Sequence, residues 1–161
     1  VLEFSYYPEL VEYSPRVMTR DPYNFQRFLD AQRSMYHEVL AELRAGQKQS
    51  HWMWFIFPQI KGLGRSPTAV KFAINSRTEA QAYGEHPILG ARLRECTQLV
   101  NAIENRPASQ IFGYPDDLKF HSSMTLFAAA APEPAVFHRA LVKYFAGEPD
   151  TQTLAALKFH D

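Results

Sequence analysis

From residue 21 onward the chain is punctuated by helix starts and stops, and no segment carries the alternation of a strand. Asp21-Pro22 reads as an N-cap followed by proline at the first helical position, where a missing N–H costs nothing. Phe25, Phe28, Leu29, Gln32, Tyr36, Val39, Leu40 and Leu43 follow at helical spacing, and Gly46 ends the run. Ser66-Pro67 opens an apolar helical run through Ile74. Ser76 with Glu79 forms a capping-box pattern before Ala80–Tyr83. Pro87 opens a longer helix with Ile88, Leu89, Leu93, Cys96, Leu99, Val100 and Ile103 on one face. Pro107 starts a short turn to Phe112-Gly113, and Asp116-Asp117 cap a segment over Leu118–Ala131. Pro134 starts Phe137–Ala146 before Gly147, and Asp150 or Thr151 caps a last helix from Leu154 to about Lys158. No Asn-Gly or Asp-Gly hairpin signal occurs. Only Trp52–Phe57 stays open between buried helix and buried strand. The expected fold is all-α: a single multihelical globular domain over residues 21–161, with an irregular N-terminal arm over residues 1–20.

A chain of 161 residues suits one domain and buries enough surface to need no metal or disulfide staple. Seventeen basic residues balance seventeen acidic ones. That balance argues against a broad nucleic-acid surface and against a polybasic membrane anchor. The single cysteine, Cys96, has no internal disulfide partner and lies on an apolar helix face, so it reads as an inert core thiol in a reducing cytoplasm. No segment approaches the roughly twenty apolar residues of a membrane helix. The first residues lack the basic flank and long apolar run of a secretory signal.

Chemistry concentrates in two blocks. The first is His51-Trp-Met-Trp-Phe-Ile-Phe-Pro-Gln-Ile-Lys-Gly-Leu-Gly-Arg-Ser66, which holds both tryptophans. In Gly62-Leu-Gly-Arg-Ser66, glycines let the backbone approach a ligand closely. The helix start at Ser66-Pro67 offers free amides to an anion, and Lys61 and Arg65 flank it. A tight turn with a capped helix explains the same residues. The spacing is neither a nucleotide P-loop nor a dinucleotide fingerprint, and no cofactor is implied. Trp52 and Trp54 offer flat faces for a ring or sugar, Gln59 a polar edge and His51 a proton carrier, although Trp, Met and Phe in one run are also ordinary core.

The second block is Asp116-Asp-Leu-Lys-Phe-His-Ser-Ser123. On a helix Lys119 and Ser123 share a face at i,i+4, and Asp116 pairs with Lys119 at i,i+3. A serine beside a lysine is one form of activated nucleophile, whereas an acidic helix start with small contact serines is the plainer alternative. Six scattered histidines and one cysteine give no metal motif. Asp116 and Asp117 are adjacent, so their side chains diverge on a helix and do not form a glycosidase pair.

Six ordered blocks carry a family resemblance: residues 51–59, Gly-Leu-Gly-x-Ser at 62–66, Glu-Ala-Gln-Ala-Tyr at 79–83, His-Pro-Ile-Leu-Gly-x-Arg-Leu-x-Glu-Cys at 86–96, Ile-Phe-Gly at 111–113, and Asp-Asp-Leu-Lys-x-x-Ser-Ser-Met-Thr-Leu-Phe at 116–127. Over residues 21–157 the chain resembles the domain-of-unknown-function family 1810. The resemblance implies a small bacterial protein of one mostly helical domain, and no activity to transfer. The calpastatin label attached to such proteins does not suit this chain, because calpain-inhibitory segments are polar and disordered until bound. Two positions depart from the family pattern: Lys71-Phe72-Ala73 stands where an aromatic-glycine pair is expected, and His121 where arginine or cysteine is.

The functional expectation is a small anionic ligand, phosphate-bearing or nucleotide-like, held where the two blocks meet. Lys61, Gly62, Gly64, Arg65 and Ser66 are expected around the anion, with Trp52, Trp54 and Gln59 facing the organic part and Ser123 as a further ligand-binding residue. His51, Asp116 and Lys119 are the acid–base candidates for a hydrolase or transferase. The alternative is a non-catalytic protein-interaction or structural module. Oligomeric state is not encoded in any motif.

Overall fold

Residues 20–160 are described by a computed structural model, and among them the regular structure is ten α-helices. These are α1 (Gln26–Arg33), α2 (Tyr36–Arg44), α3 (Met53–Ile56), α4 (Pro67–Lys71), α5 (Arg77–Glu85), α6 (Leu89–Asn101), α7 (Ala108–Phe112), α8 (Asp116–Ala130), α9 (Ala135–Phe145) and α10 (Thr151–Phe159). Ile60 and Ile74 add one isolated parallel β-bridge. The all-α expectation therefore holds. The arm expected over residues 1–20 lies, up to residue 19, outside the described residues.

Several helix ends follow directly from the sequence. The Ser66 and Ser76 hydroxyls accept the amides of Ala69 and Glu79 at 3.1 and 3.0 Å, and the Asp150 carboxylate accepts Thr153 N–H at 3.0 Å. Each satisfies one of the donors left open at a helix start. Gly46, at φ +78°, closes α2 with paired bonds from Gly46 N–H to Leu43 O and Gln47 N–H to Glu42 O.

Three expectations need correction. The run from Asp21 to Gly46 is two helices, broken at Ser34–Met35, so that α1 packs on α3 while α2 packs on α6. Gln32 sits at the break, buried, and its amide donates to Phe55 O at 2.7 Å, which ties the turn to α3. Asp21 still caps, but its carboxylate takes the amides of Phe25 and Gln26 only after a turn through Asn24. The run after Ser66 stops at Lys71, because Ile74 leaves the helix to bond Gln59 O and Lys61 N–H at 2.9 and 2.8 Å. Asp116 and Asp117 do not cap α8: the helix begins at Asp116, and Pro115 is its N-cap without a side-chain bond.

Helix α8 organises everything else. Phe120 and all of Ser122–Phe127 are buried, as befits a central helix with neighbours on several sides. It contacts α5, α7, α9 and α10, with α3 against it as well. The Phe57 ring meets Phe120 edge-on at 5.0 Å and Phe112 at 5.9 Å, and Phe112 stacks on Phe120 at 4.6 Å. Such ring pairs contribute about 0.5–1.5 kcal/mol each beyond their burial. They fasten the tryptophan-bearing segment to the first two turns of α8. The two chemistry-bearing blocks are neighbours for this reason.

Candidate functional site

Glu42 on α2 anchors the loop that leads into the tryptophans. Its carboxylate accepts the amides of Gln49 and Ser50 at 2.6 and 2.9 Å, the Ser50 hydroxyl at 2.6 Å and the Trp52 indole N–H at 3.0 Å. Burial raises its pKa, but the Ser50, Gln49 and Trp52 donors outweigh that and hold the carboxyl below its usual range. Trp52 is fully buried, with Phe57 6.2 Å from its ring.

Lys48 links this corner to α8. Its Nζ lies 5.2 Å from the Trp52 ring centroid and pairs with Asp116 Oδ2 at 2.8 Å. Asp116 Oδ1 takes Lys119 Nζ at 3.1 Å. Burial opposes the charge on Asp116, yet the two ammonium groups prevail and depress its pKa. One carboxylate thus serves two cations, and the cluster keeps a net positive charge. Lys119 Nζ also lies 4.3 Å from the Trp54 ring centroid, in cation–π range.

An open groove of about 550 Å³ separates α8 from the loop before α4. Trp54, Gln59, Leu63, Gly64, Arg65, Ser66 and Ala69 form one side. Pro115, Leu118, Lys119, His121 and Ser122 form the other, and Asp150 and Gln152 from the start of α10 close one end. Gly64 is required here because a Cβ would fall 2.6 Å from the Ala69 Cβ, so the loop packs directly on α4. Among the described residues the Arg65 guanidinium and the Gln59 and Gln152 amides have no side-chain partner, which leaves donors facing the groove.

The structure brings Trp54, Gln59, Gly64, Arg65, Ser66 and Lys119 together, with Asp116 just behind Lys119. It does not bring the other expected residues to the groove. His51 and Lys61 are exposed and lie outside its lining. Gly62, at φ +102°, lines a cavity of about 10 Å³ beneath the loop, too small for more than a water. Trp52 is core. Ser123 is fully buried, its Oγ has no partner, and it does not line the groove. Ser66 reaches the groove, but its hydroxyl caps α4, whose five residues make a poor anion site by themselves.

Sequence reasoning missed Lys48, Glu42, Ser122, Gln152 and the groove-facing role of Asp150. The Asp150 carboxylate carried a signal, but one that fitted a helix cap equally well. Glu42 and Lys48 carried none, because their partners lie far along the chain.

Of the two departures from the family pattern, Phe72 is core, between Phe28 and Phe55 at 5.5 Å each. His121 lines the groove, bonded through Nε2 to Glu148 O at 2.7 Å and stacked on Phe145 at 4.0 Å. Cys96 is fully buried, and burial pushes its thiol up to about 12, as an inert core thiol requires. Among the described residues no three His, Cys, Asp or Glu side chains converge as a metal site, and no helix is long and apolar enough to cross a membrane.

Comparison with known proteins places this geometry in a family without assigning it a role. None of the curated proteins is significantly similar to the chain. The crystal structure of the conserved hypothetical protein Rv1873 from Mycobacterium tuberculosis is similar at 53% identity with a TM-score of 0.84, over 86% of this chain and 99% of that one. The profile of the family described as "Protein of unknown function (DUF1810)" matches residues 22–157. By that match, and by its likeness in sequence and fold to Rv1873, the chain belongs to the DUF1810 family.

Proposed function

We propose that this protein binds a small anionic ligand in the groove between the Gln59–Ser66 loop and the first turns of α8. The observation that carries the reading is the surplus of cations there. Lys48 and Lys119 share the single carboxylate of Asp116, and Arg65 faces Lys119's helix with no protein partner. A guanidinium and an ammonium on opposite walls suit a phosphate or carboxylate group. The partly buried Trp54 ring and Leu63 supply an apolar wall for the rest of the ligand.

Binding has more support than catalysis. Asp116 is held ionised with both oxygens taken by lysines, which leaves it no proton to donate and weakens it as a base. His51 lies outside the groove, and the His121 ring is bonded to Glu148 O. A protein-interaction role has one observation in its favour, the exposure of Tyr114 and Leu118 beside the groove.

A thermal-shift series with orthophosphate, sugar phosphates and nucleotides tests the proposal. A ligand at about one hundred times its Kd adds about 2.7 kcal/mol of stability, a rise of several degrees. Arg65→Ala abolishes that rise without lowering the melting temperature of the free protein. A flat response to every anion at low salt, where charge attraction is least screened, rejects the reading and leaves the interaction module.

A further inference from the structure

The groove carries two kinds of charged group, and the second identifies the class of ligand. Arg65 on the loop and Lys119 on α8 supply cations. The Asp150 carboxylate, in the same lining, receives only neutral donors through Oδ2: Ser122 Oγ at 3.2 Å, Thr153 N–H at 3.0 Å and Thr153 Oγ1 at 2.5 Å. No ion pair compensates it among the described residues. Its Oδ1 has no protein donor among the described residues, and Asp150 lines the groove. The Ser122 hydroxyl has its one hydrogen between Leu118 O at 3.1 Å and Asp150 Oδ2, so what it offers a ligand is its lone pairs, and the Gln152 amide adds a further neutral group.

Resting on the anionic-ligand reading above, we infer that the groove takes a phosphorylated sugar or polyol, with its phosphate at Arg65 and Lys119 and its hydroxyls at Asp150 and Ser122. Lys119 and Ser122 lie one turn apart on α8, so the cation and the hydroxyl line the same stretch of groove. Charge fixes the polarity, because an open carboxylate rejects a second anionic group and accepts hydroxyl donors. An ammonium group is the competing donor for an unpaired carboxylate, and glycine is the control that separates the two. Trp54, with Lys119 Nζ 4.3 Å from its ring centroid, adds an aromatic edge to the same lining.

Isothermal titration with orthophosphate, ribose 5-phosphate, ribose and glycine tests the assignment on the wild-type chain and on Asp150→Asn, Ser122→Ala and Arg65→Ala. Asparagine keeps an oxygen for the Thr153 amide, so Asp150→Asn retains the α10 cap, and Ser122→Ala leaves that cap untouched. The wild type binds ribose 5-phosphate about tenfold or more tighter than orthophosphate. Asp150→Asn and Ser122→Ala shrink that ratio while orthophosphate affinity stays constant, and Arg65→Ala weakens both ligands. Equal binding of orthophosphate and ribose 5-phosphate, or a preference for glycine, overturns the sugar assignment and spares the anion site. No binding of any of the four overturns both.

Discussion

Two polar corners lie a few residues apart in the same sequence block, and they differ in one respect: whether their hydrogen bonds are already made. Around Glu42 every donor that approaches is matched. Two amides, a hydroxyl and an indole converge on one carboxylate, and Trp52 vanishes into the core behind it. Around Trp54 the matching stops. Arg65 and Gln59 face open space, Asp150 offers an unshared oxygen, and two lysines divide one aspartate. A saturated polar cluster holds a fold, whereas an unsaturated one beside a groove offers its groups to something else.

Substitutions that cross this boundary should separate stability from binding. The largest effect is expected at Trp52→Ala, which removes a fully buried ring and costs about 3–5 kcal/mol. Trp54→Ala, at a partly buried site, costs about 1–2 kcal/mol. Urea unfolding measures both, and equal losses would erase the comparison. Glu42→Gln replaces a charged acceptor with an amide that clashes with one of its donors, at about 2–3 kcal/mol.

Acid sharpens the contrast further. The folded-state pKa values of Glu42 and Asp116 are both depressed. Their stabilisation is therefore fully present above the unfolded carboxylate range, near pH 4, and is lost as pH falls through the lower folded values. Glu42→Gln and Asp116→Asn should each flatten the acid limb of a melting curve against pH. Asp116→Asn leaves Lys48, with 7% of its side chain exposed, lacking its carboxylate and costs about 1–2 kcal/mol at neutral pH. Smallest of all is Arg65→Ala, within about 0.5 kcal/mol of wild type without ligand.

The sequence made the helices legible because their ends depend on local chemistry. Ser66, Ser76 and Asp150 cap where a short polar side chain precedes a helical run, and Gly46 supplies the positive φ that closes α2. The break at Ser34–Met35 was not legible, because both sides keep a helical period and only packing against α3 and α6 divides them. The neighbourhood of the two blocks was legible in outline: residues of the 59–66 loop and of the Asp116–Ser123 segment line one groove. Helical spacing set Lys119 and Ser123 on one face, but every residue of Ser122–Phe127 is buried, and Ser123 does not line the groove. Lys48 and Glu42 became visible only when the fold placed them beside Asp116 and Trp52.

The two tryptophan side chains provide the most direct test, because one belongs to each corner. Their indole N–H signals are to be followed by two-dimensional NMR during a titration with ribose 5-phosphate at low salt. The account predicts that the Trp54 signal moves in a saturable way together with Lys119 and Arg65, while the Trp52 signal, held by Glu42, stays in place. Silence at Trp54 up to millimolar ligand, or equal movement at Trp52, would contradict it.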